Sequence, residues 1–260
     1  MQDWERHRHV FLDLTGREAR TRLNNAATGW LWLIATPLLL LSVYGFVFGV
    51  IFQARVPSGL DMPFVAWLAV ALWPWLAFSD GVLRGSGAIR QHSALISKVA
   101  VPRAMLAASV QTAAFVLQLT GYLIVLVAVA VLGVDLSVRA LPYLLLVLAS
   151  LYLFSLGLSL LLSAVQVFVR DLEQLLPTLF MFWFFLTPIL YSPEILPGDT
   201  GHWLQFNPMT WWMEEIRAAL FHGQWLPGWS FLGLLSGALL SVWVGTRVFN
   251  RLSPHFEDFL

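Results

Sequence analysis

Residues 169–209 read VRDLEQLLPTLFMFWFFLTPILYSPEILPGDTGHWLQFNPM, a charged turn that leads into an aromatic-rich apolar segment. The segment ends near Pro188 and Tyr191, because proline interrupts a helix. Beyond it, Ser192–Pro193 and Asn207–Pro208 each place a capping side chain before a proline at the first helical position. The stretch therefore predicts one membrane crossing followed by two short helices, and this combination decides the fold.

The composition extends this interpretation to the whole chain. Of its 260 residues, 58% are hydrophobic and only 12% are charged, and the mean hydropathy is +0.74. Such a chain has lipid as its main solvent, and each helical crossing needs about 20 apolar residues. We expect an all-α, polytopic membrane protein with six transmembrane helices. The six predicted spans are 30–52, 63–79, 104–134, 140–169, 175–191 and 226–246.

Basic residues set the orientation, because cytoplasmic loops collect Lys and Arg. With both termini inside, twelve of the 15 basic residues are cytoplasmic, and only Arg55, Arg139 and Arg217 are outside. The first apolar run begins at Trp30 and is long enough to be a span, so a cleaved signal peptide is not expected. The predicted parts are a cytoplasmic N-terminal segment (1–29), the six-span domain (30–252) and a cytoplasmic tail (253–260).

Two cytoplasmic elements are predicted beside the spans. Residues 10–22 form an amphipathic segment with basic residues toward its membrane end, which suits an interfacial helix. An ordinary basic flank is the alternative. Residues 80–103 should form a cytoplasmic helical hairpin that ends at Pro102. This hairpin and the turn at 170–173 suit docking of a soluble partner, and a plain solvated loop explains them about as well.

The second outer helix, 208–222, is amphipathic and short. At 1.5 Å per residue it is about 22 Å long, which is too short for a crossing. Glu214 and Arg217 are spaced for an i, i+3 pair, and Gly223 is placed to end the helix. We expect a re-entrant or interface-lying pair of helices; an aromatic belt on a plain loop is the alternative. The predicted buried face of this helix is Met209, Trp212, Met213, Ile216 and Leu220.

Several motifs together carry a resemblance to a known family. They are RTRLNNAATGWLWLIATPLLLL from residue 20, LISKVAVPR from 95, VFVRDLEQLLP from 167, FFLTPILY from 184, FNPM from 206 and a tail ending in FEDFL. Over nearly its whole length the chain resembles the permease subunit of polysaccharide-exporting ABC transporters, which include exporters of lipid-linked O-antigen, capsule and wall teichoic acid. The resemblance implies that two permease chains form a channel, each with a cytoplasmic gate helix and two outer gate helices. Leu23 departs from the family, in which an aromatic residue commonly follows the paired arginines.

The resemblance also implies a separate nucleotide-binding subunit, present in two copies. The chain holds a single lysine, Lys98, and Ser97 precedes it, so no GxxxxGK[ST] phosphate cradle is possible. We therefore expect that this chain is not an enzyme and binds no cofactor, and that the partner uses ATP and Mg²⁺. The expected ATPase-coupling residues are Arg90, Leu95, Lys98, Arg170, Asp171 and Glu173.

The predicted channel is suited to a sugar polymer rather than to ions. Ion and proton relays need ionisable residues at depth, and the six predicted spans contain no Asp, Glu, Lys, Arg or His. Aromatic faces stack on sugar rings without one fixed hydrogen-bond register, although packing or lipid-facing positions explain many such residues equally. The predicted channel aromatics are Trp30, Tyr44, Phe48, Trp73, Phe180, Trp183 and Phe184.

Two further sets of residues are assigned to the ends of the path. Arg17, Arg20 and Arg22 are placed to bind the pyrophosphate of a lipid-linked substrate bidentately, and plain topology determinants are the alternative. The predicted outer gate residues are Pro193, Asn207, Pro208 and Trp212.

The sequence thus predicts the channel-forming subunit of an ATP-driven exporter of lipid-linked polysaccharide in the bacterial inner membrane. Its expected partners are a second copy of itself, two ATPase subunits, the polyprenyl-linked substrate and membrane lipids, with no nucleic acid. A teichoic-acid permease and an exporter of small hydrophobic molecules are alternatives. A more distant alternative is a membrane-embedded transferase for polyprenyl-linked glycans, for which Asp80 with His92 is the candidate. The histidines are scattered, so no metal-ligand spacing emerges.

Overall fold

The computed structural model describes residues 2–24, 29–54, 56, 61–93, 102–193 and 200–259, and the regular elements within these ranges are all helical. A π-helical stretch, Gly45–Ile51, continues the second helix, and a 3₁₀ turn, Ser253–Asp258, follows the last one. The α-helices are α1 (Gln2–Asn24), α2 (Gly29–Tyr44), α3 (Phe64–Gln91), α4 (Arg103–Val131), α5 (Leu141–Phe168), α6 (Leu172–Leu186), α7 (Thr200–Trp203), α8 (Pro208–His222) and α9 (Trp229–Leu252).

Five helical stretches in this part of the chain are long and apolar enough to cross a membrane. They correspond to five of the six predicted spans. The helix expected at 175–191 is shorter: α6 has 15 residues, and the backbone becomes extended at Thr187. The five candidate spans are Leu31–Ile51, Phe64–Gln91, Arg103–Val131, Val138–Phe168 and Trp229–Glu257.

Helix α3 is the centre of the fold. It contacts α4, α5, α6 and α8, and 78% of its most apolar window is buried inside the chain. Small residues on α3 let its neighbours approach closely, as is usual where helices pack within a membrane. A Cβ added at Gly85 would lie 2.0 Å from Ser159 Oγ of α5. The contact is therefore possible only because Gly85 has no side chain.

The predicted boundary between a span at 63–79 and a separate hairpin helix from residue 80 is wrong. Helix α3 runs unbroken through Asp80 and Arg84 to Gln91. These charges do not end the helix because they pair at the favourable i, i+4 spacing, with Arg84 Nε 2.6 Å from Asp80 Oδ1. The expected tip of the hairpin, residues 94–101, lies outside the described residues.

The two ends of the chain lie against the helices that surround α3. Helix α1 packs against α4 and begins at Gln2, well before the predicted start at residue 10. Helix α9 packs along α5 and continues beyond the predicted span end to Leu252. Its 3₁₀ extension then packs back onto α5. Both ends are thus held by the helical core.

Candidate functional site

Three of the predicted ATPase-coupling residues meet on one surface where α3 ends and α6 begins: Arg90, Arg170 and Glu173. Arg90 Nη1 of α3 lies 2.9 Å from Glu173 Oε2 of α6. Arg90, Glu173 and Arg170 line one recess of about 380 Å³, and Phe259 from the chain end lines it as well. The predicted partners Leu95 and Lys98 lie outside the described residues. Residues that are 83 positions apart in the chain therefore meet at this face.

Asp171 has a backbone role at the same face. It is the N-terminal flanking residue of α6, and its carbonyl accepts hydrogen bonds from the backbone N–H groups of Gln174 (3.1 Å) and Leu175 (3.1 Å). The Asp171 side chain makes no capping hydrogen bond, so the residue contributes to the start of α6 through its backbone alone.

The three arginines predicted to bind pyrophosphate are placed differently. Arg22 is engaged within the chain: it lies 3.2 Å from Glu18 and 3.8 Å from Asp80. Burial lowers the pKa of Arg22 below its ordinary value, and the charge of Arg84 acts in the same direction. Arg17 and Arg20 are exposed. Of the three arginines, only Arg17 and Arg20 are thus accessible to a ligand.

Arg17 also lines a cavity of about 230 Å³ between α1, the end of α3 and α4. Its wall includes Thr21, His92 and Ser109, which gives it a polar side facing Arg17. The ring nitrogen Nδ1 of His92 lies 3.0 Å from the Ala88 carbonyl oxygen at the end of its own helix.

The candidate pair for a transferase, Asp80 with His92, is not arranged as an acid–base site. Asp80 is paired with both Arg84 and Arg22. His92 lies three helical turns further along α3, since each turn takes 3.6 residues. The geometry gives no support to this alternative.

The predicted channel aromatics divide into buried and partly exposed groups. Trp73 is 1% exposed and lies close to Gly121 of α4, and Phe180 is also buried. Trp183 and Phe184 pack against Trp75 of α3, with ring centroids 5.8 Å away in each case.

The partly exposed group also includes residues of the first span. Tyr44 and Phe48 stack at 5.9 Å, with both rings partly buried, and the side chain of Trp30 lies outside the described residues. The most exposed aromatics on α6 are Phe182 and Phe185, neither of which was selected from sequence. Channel lining stays a prediction for the selected residues.

Beyond the C-terminal end of α6, Asn207 connects α6 to α8 through four hydrogen bonds. Its Oδ1 accepts from Met209 N–H (3.1 Å), as an N-cap, and from Trp183 Nε1–H (2.8 Å). Its Nδ2 donates to the Leu186 carbonyl (3.2 Å) and to Thr187 Oγ1 (2.9 Å). Both acceptor and both donor positions of the amide are therefore used.

The predicted bounds and caps of α8 are confirmed. Pro208 is its first residue, and Gly223 ends it with φ at 65°, in the left-handed region that favours glycine. Trp212 donates from Nε1 to Ser150 Oγ of α5 at 3.0 Å. The predicted helix at Pro193 is untested, because residues 194–199 lie outside the described residues. All five residues of the predicted apolar face are buried: Met209, Trp212, Met213, Ile216 and Leu220.

Arg217 has buried partners that the sequence does not indicate. Instead of simply pairing with Glu214, its guanidinium lies 3.5 Å from the centre of the Trp67 ring and donates to the carbonyls of Pro188 (2.8 Å) and Ile189 (3.2 Å). Those carbonyls follow the C-terminal end of α6, where a cation is favoured. Burial lowers the pKa of Arg217 to about 9, so the side chain stays charged at neutral pH.

Glu215, next to the exposed Glu214, is also buried and was not selected from sequence. It accepts hydrogen bonds from Tyr143 of α5, Ser230 of α9 and Gln224. The signal was available in the helical period: Glu215 follows Trp212 by three positions, and Arg217 follows Met213 by four, so both share the buried side. These two charges tie α8 to the ends of the surrounding helices.

A comparison with protein families agrees with this architecture. The model of the ABC-2 type transporter family matches residues 9–221, which is most of the chain. The chain therefore belongs to the ABC-2 type transporter family.

Individual relatives match almost end to end. An O-antigen export system permease protein RfbA of Myxococcus xanthus is 27% identical over 260 residues, covering 97% of this chain and 95% of the relative. The protein of the same name from Klebsiella pneumoniae is 24% identical over 249 residues, covering 95% and 93%. The polysialic acid transport protein KpsM of Escherichia coli is 25% identical over 241 residues, covering 90% of each chain. The resemblance seen in the sequence motifs is confirmed.

Proposed function

We propose that this chain is the channel-forming permease subunit of an ATP-driven exporter that moves lipid-linked polysaccharide out of the cytoplasm. The observation that carries the proposal is the similarity to permeases of O-antigen and polysialic acid transport along nearly the full length of both chains. The coupling surface at Arg90 and Glu173 lies at the N-terminal end of the aromatic helix α6, and the outer helix α8 begins beside its C-terminal end. This order suits a path from one face of the protein to the other.

The proposed topology has six crossings, with both termini in the cytoplasm and the protein in the inner membrane. Helix α6 is the sixth crossing, in addition to the five long apolar helices. Its 15 helical residues rise about 22 Å, which is short of a hydrocarbon core of about 30 Å, so this crossing requires local thinning of the bilayer. Six crossings place most basic residues on the cytoplasmic side, which the positive-inside rule favours.

The proposed assembly contains two copies of this chain and two copies of an ATPase subunit. The ATPase is needed because this chain has no phosphate-binding loop. It would dock on the recess lined by Arg90, Arg170 and Glu173. ATP-driven closure of the two ATPases shifts the permeases between two conformational states only if the contacts between ATPase and permease differ in those two states.

The proposed path begins at α1 and passes along α6. Arg17 and Arg20, the exposed pair of the N-terminal arginines, bind the substrate pyrophosphate, while Arg22 holds α1 against Asp80. The aromatics Trp183 and Phe184 offer ring faces along which sugars slide. Helix α8, held at its start by Asn207, closes the outer end.

Deletion of the gene tests the substrate class. We expect lipid-linked glycan of one composition to accumulate on the cytoplasmic side, with loss of the matching glycan from the cell surface and restoration by the wild-type chain. Extraction of the lipid-linked fraction and sugar analysis give the measurement. Normal surface glycan without accumulation would refute polysaccharide export and favour a small hydrophobic substrate.

The arginine assignment is tested separately. Replacing Arg17 and Arg20 with Gln should reduce export strongly while the chain still inserts in the membrane. The matched variant Arg251→Gln removes an exposed basic residue at the end of α9 and should export normally. Normal export by both the Arg17/Arg20 variant and the Arg251→Gln variant would show that Arg17 and Arg20 act only in membrane insertion.

A further inference from the structure

The C-terminal tail is anchored at the same face as the coupling surface. The Phe256 side chain is fully buried, with its ring centroid 5.5 Å from that of Phe249 in α9 and 6.0 Å from that of Phe168 in α5. Arg103, the first residue of α4, donates to the Ser253 carbonyl and to the Glu257 carboxylate. The tail is thus fixed to three helices rather than trailing from the last one.

This anchoring positions one exposed aromatic residue. The Phe259 ring lies 4.8 Å from that of Phe168, in an edge-on contact, and the residue is 49% exposed. Phe259 also lines the 380 Å³ recess that contains Arg90, Arg170 and Glu173. Three separate parts of the chain, the end of α3, the turn before α6 and the tail, therefore form one continuous surface.

We propose that the tail is a third docking element for the ATPase subunit, with Phe259 as its apolar anchor. The proposal rests on the proposed function, which places the ATPase at Arg90, Arg170 and Glu173. Because Phe259 shares their recess, a subunit that reaches those side chains also covers the ring.

The chemistry of the recess fits a protein partner. Binding hot spots commonly consist of an aromatic side chain surrounded by polar and charged groups. Among the described residues that line the recess, Arg90 and Arg170 bring two positive charges and Glu173 brings one carboxylate, so this lining is complementary to an acidic segment on the partner. The membrane surface is the competing occupant, since an aromatic ring also anchors at the headgroup level.

Single cysteines test the proposal cleanly, because the natural chain has no cysteine. In inverted membrane vesicles, Phe259→Cys is labelled with benzophenone maleimide, irradiated, and the cross-linked products are identified by mass spectrometry. We expect an adduct with a protein that contains a phosphate-binding loop. Phe206→Cys is the matched control: it replaces an 81% exposed phenylalanine near α8, on the proposed outer side, and should give no such adduct.

A third variant, Arg170→Cys, separates failure of this inference from failure of the proposed function. An ATPase adduct from position 170 with only lipid adducts from position 259 would overturn the tail proposal and leave the proposed coupling surface standing. Absence of an ATPase adduct at both positions would overturn both.

Truncation of the ring gives a quantitative check. Phe259→Ser should weaken co-purification of the ATPase subunit by about 10-fold or more, as expected for a hot-spot residue. The melting temperature of the permease alone should change little, because the side chain is half exposed. Unchanged co-purification would contradict the proposal, and Leu12→Ser, an exposed apolar position on α1, controls for general loss of surface hydrophobicity.

Discussion

Arg217 shows how one buried cation can fix the junction of three helices, α3, α6 and α8. Its planar guanidinium stacks on Trp67 and donates to two carbonyls beyond α6, and a lysine cannot reproduce that combination. Hydrogen bonds from a charged group contribute about 1.5–3 kcal/mol each, and a desolvated cation–π contact about 2 kcal/mol. Arg217 is therefore a major source of stability at the junction of α3, α6 and α8.

We predict that Arg217→Ala lowers the melting temperature of the purified chain strongly, with a loss of about 2–4 kcal/mol, and that Arg217→Lys recovers only part of it. Arg139→Ala is the matched control. Arg139 lies 5.0 Å from the centre of the Trp225 ring but is exposed, so its loss should cost less than about 1 kcal/mol. Similar melting temperatures for the Arg217 and Arg139 alanine variants would contradict this account. Thermal unfolding in detergent provides the measurement.

At this scale the sequence predicts local chemistry well and distant partners poorly. The caps of α8, Asn207 and Gly223, follow from rules that involve only neighbouring residues. The second role of Asn207 depends on Trp183 and Thr187, which are contributed by another helix. The partners of Arg217 are hard to predict for the same reason. The nearby carboxylate of Glu214 is evident from the sequence, whereas the distant Trp67 ring and the two carbonyls are not.

Helices α6 and α8 are joined by a clamp that acts at the scale of whole elements. The Asn207 amide caps α8 and, at the same time, binds the end of α6. Arg217 binds the carbonyls immediately after α6 from the middle of α8. Because both ends of the connection are fixed, α6 and the outer helix α8 should move together during transport.

The variant Asn207→Asp separates the role of Asn207 in joining α6 to α8 from its role as the N-cap of α8. Aspartate is an equally good N-cap and keeps both acceptor bonds, but it loses the two donor bonds to α6 and places a carboxylate near the Leu186 carbonyl. We predict a loss of about 1–3 kcal/mol and reduced export. Gln205→Glu makes the same amide-to-acid change at an exposed position and should have little effect. Wild-type stability and export in Asn207→Asp would show that the donor bonds do not couple the helices.

The Arg90–Glu173 pair connects α3 and α6 at the other end. Its side chains are 30% and 58% exposed, so the pair should add less than about 1 kcal/mol to stability. We predict that Arg90→Glu or Glu173→Arg alone reduces export and ATPase coupling, whereas the double swap restores much of both. Arg251→Glu, an equal charge change on α9, should export normally. Failure of the double swap, with intact expression, would mean that each residue acts on the partner separately.

The elements themselves were largely predictable, and their exact ends were not. Long apolar runs gave five helices at the expected places, because lipid leaves the backbone no alternative. The end of α3 was misplaced because Asp80 and Arg84 suggest a loop until their pairing is known. The meeting of Arg90 with Glu173 needed the fold, since no periodicity relates residues so far apart.

For the whole molecule, the uneven burial of its helices indicates which sides face outward. Only 11% of the apolar window of Leu31–Ile51 is covered within the chain, against 78% for α3. An apolar helix with so little cover needs lipid or another protein surface beside it. The sequence could not separate these helices, because both are strongly hydrophobic along their length. A second copy of the chain is the proposed neighbour for part of this surface.

The number of crossings is decided by whether α6 passes through the membrane, since the other five candidate spans are long enough in any case. If α6 crosses, the turn before it and the loop after it lie on opposite sides of the membrane, and both termini lie on the same side. If α6 only dips into the membrane, those two points lie on the same side, and the termini lie on opposite sides. Single cysteines at four exposed positions distinguish these cases: His9, Arg170, Trp203 and Trp229.

We predict that His9→Cys and Arg170→Cys react with a membrane-impermeant maleimide only in inverted vesicles, and that Trp203→Cys and Trp229→Cys react in intact spheroplasts. The unmodified chain is the control, because it has no cysteine to label. The positive-inside rule supports this outcome, because Arg170 is a basic residue directly after a long span, whereas few basic residues lie near Trp203. Labelling of positions 170 and 203 from the same side would contradict six crossings. Because α6 is joined to α8 by Asn207 and Arg217, it would also mean that the coupling surface and the outer helix share one face, which is incompatible with the proposed path.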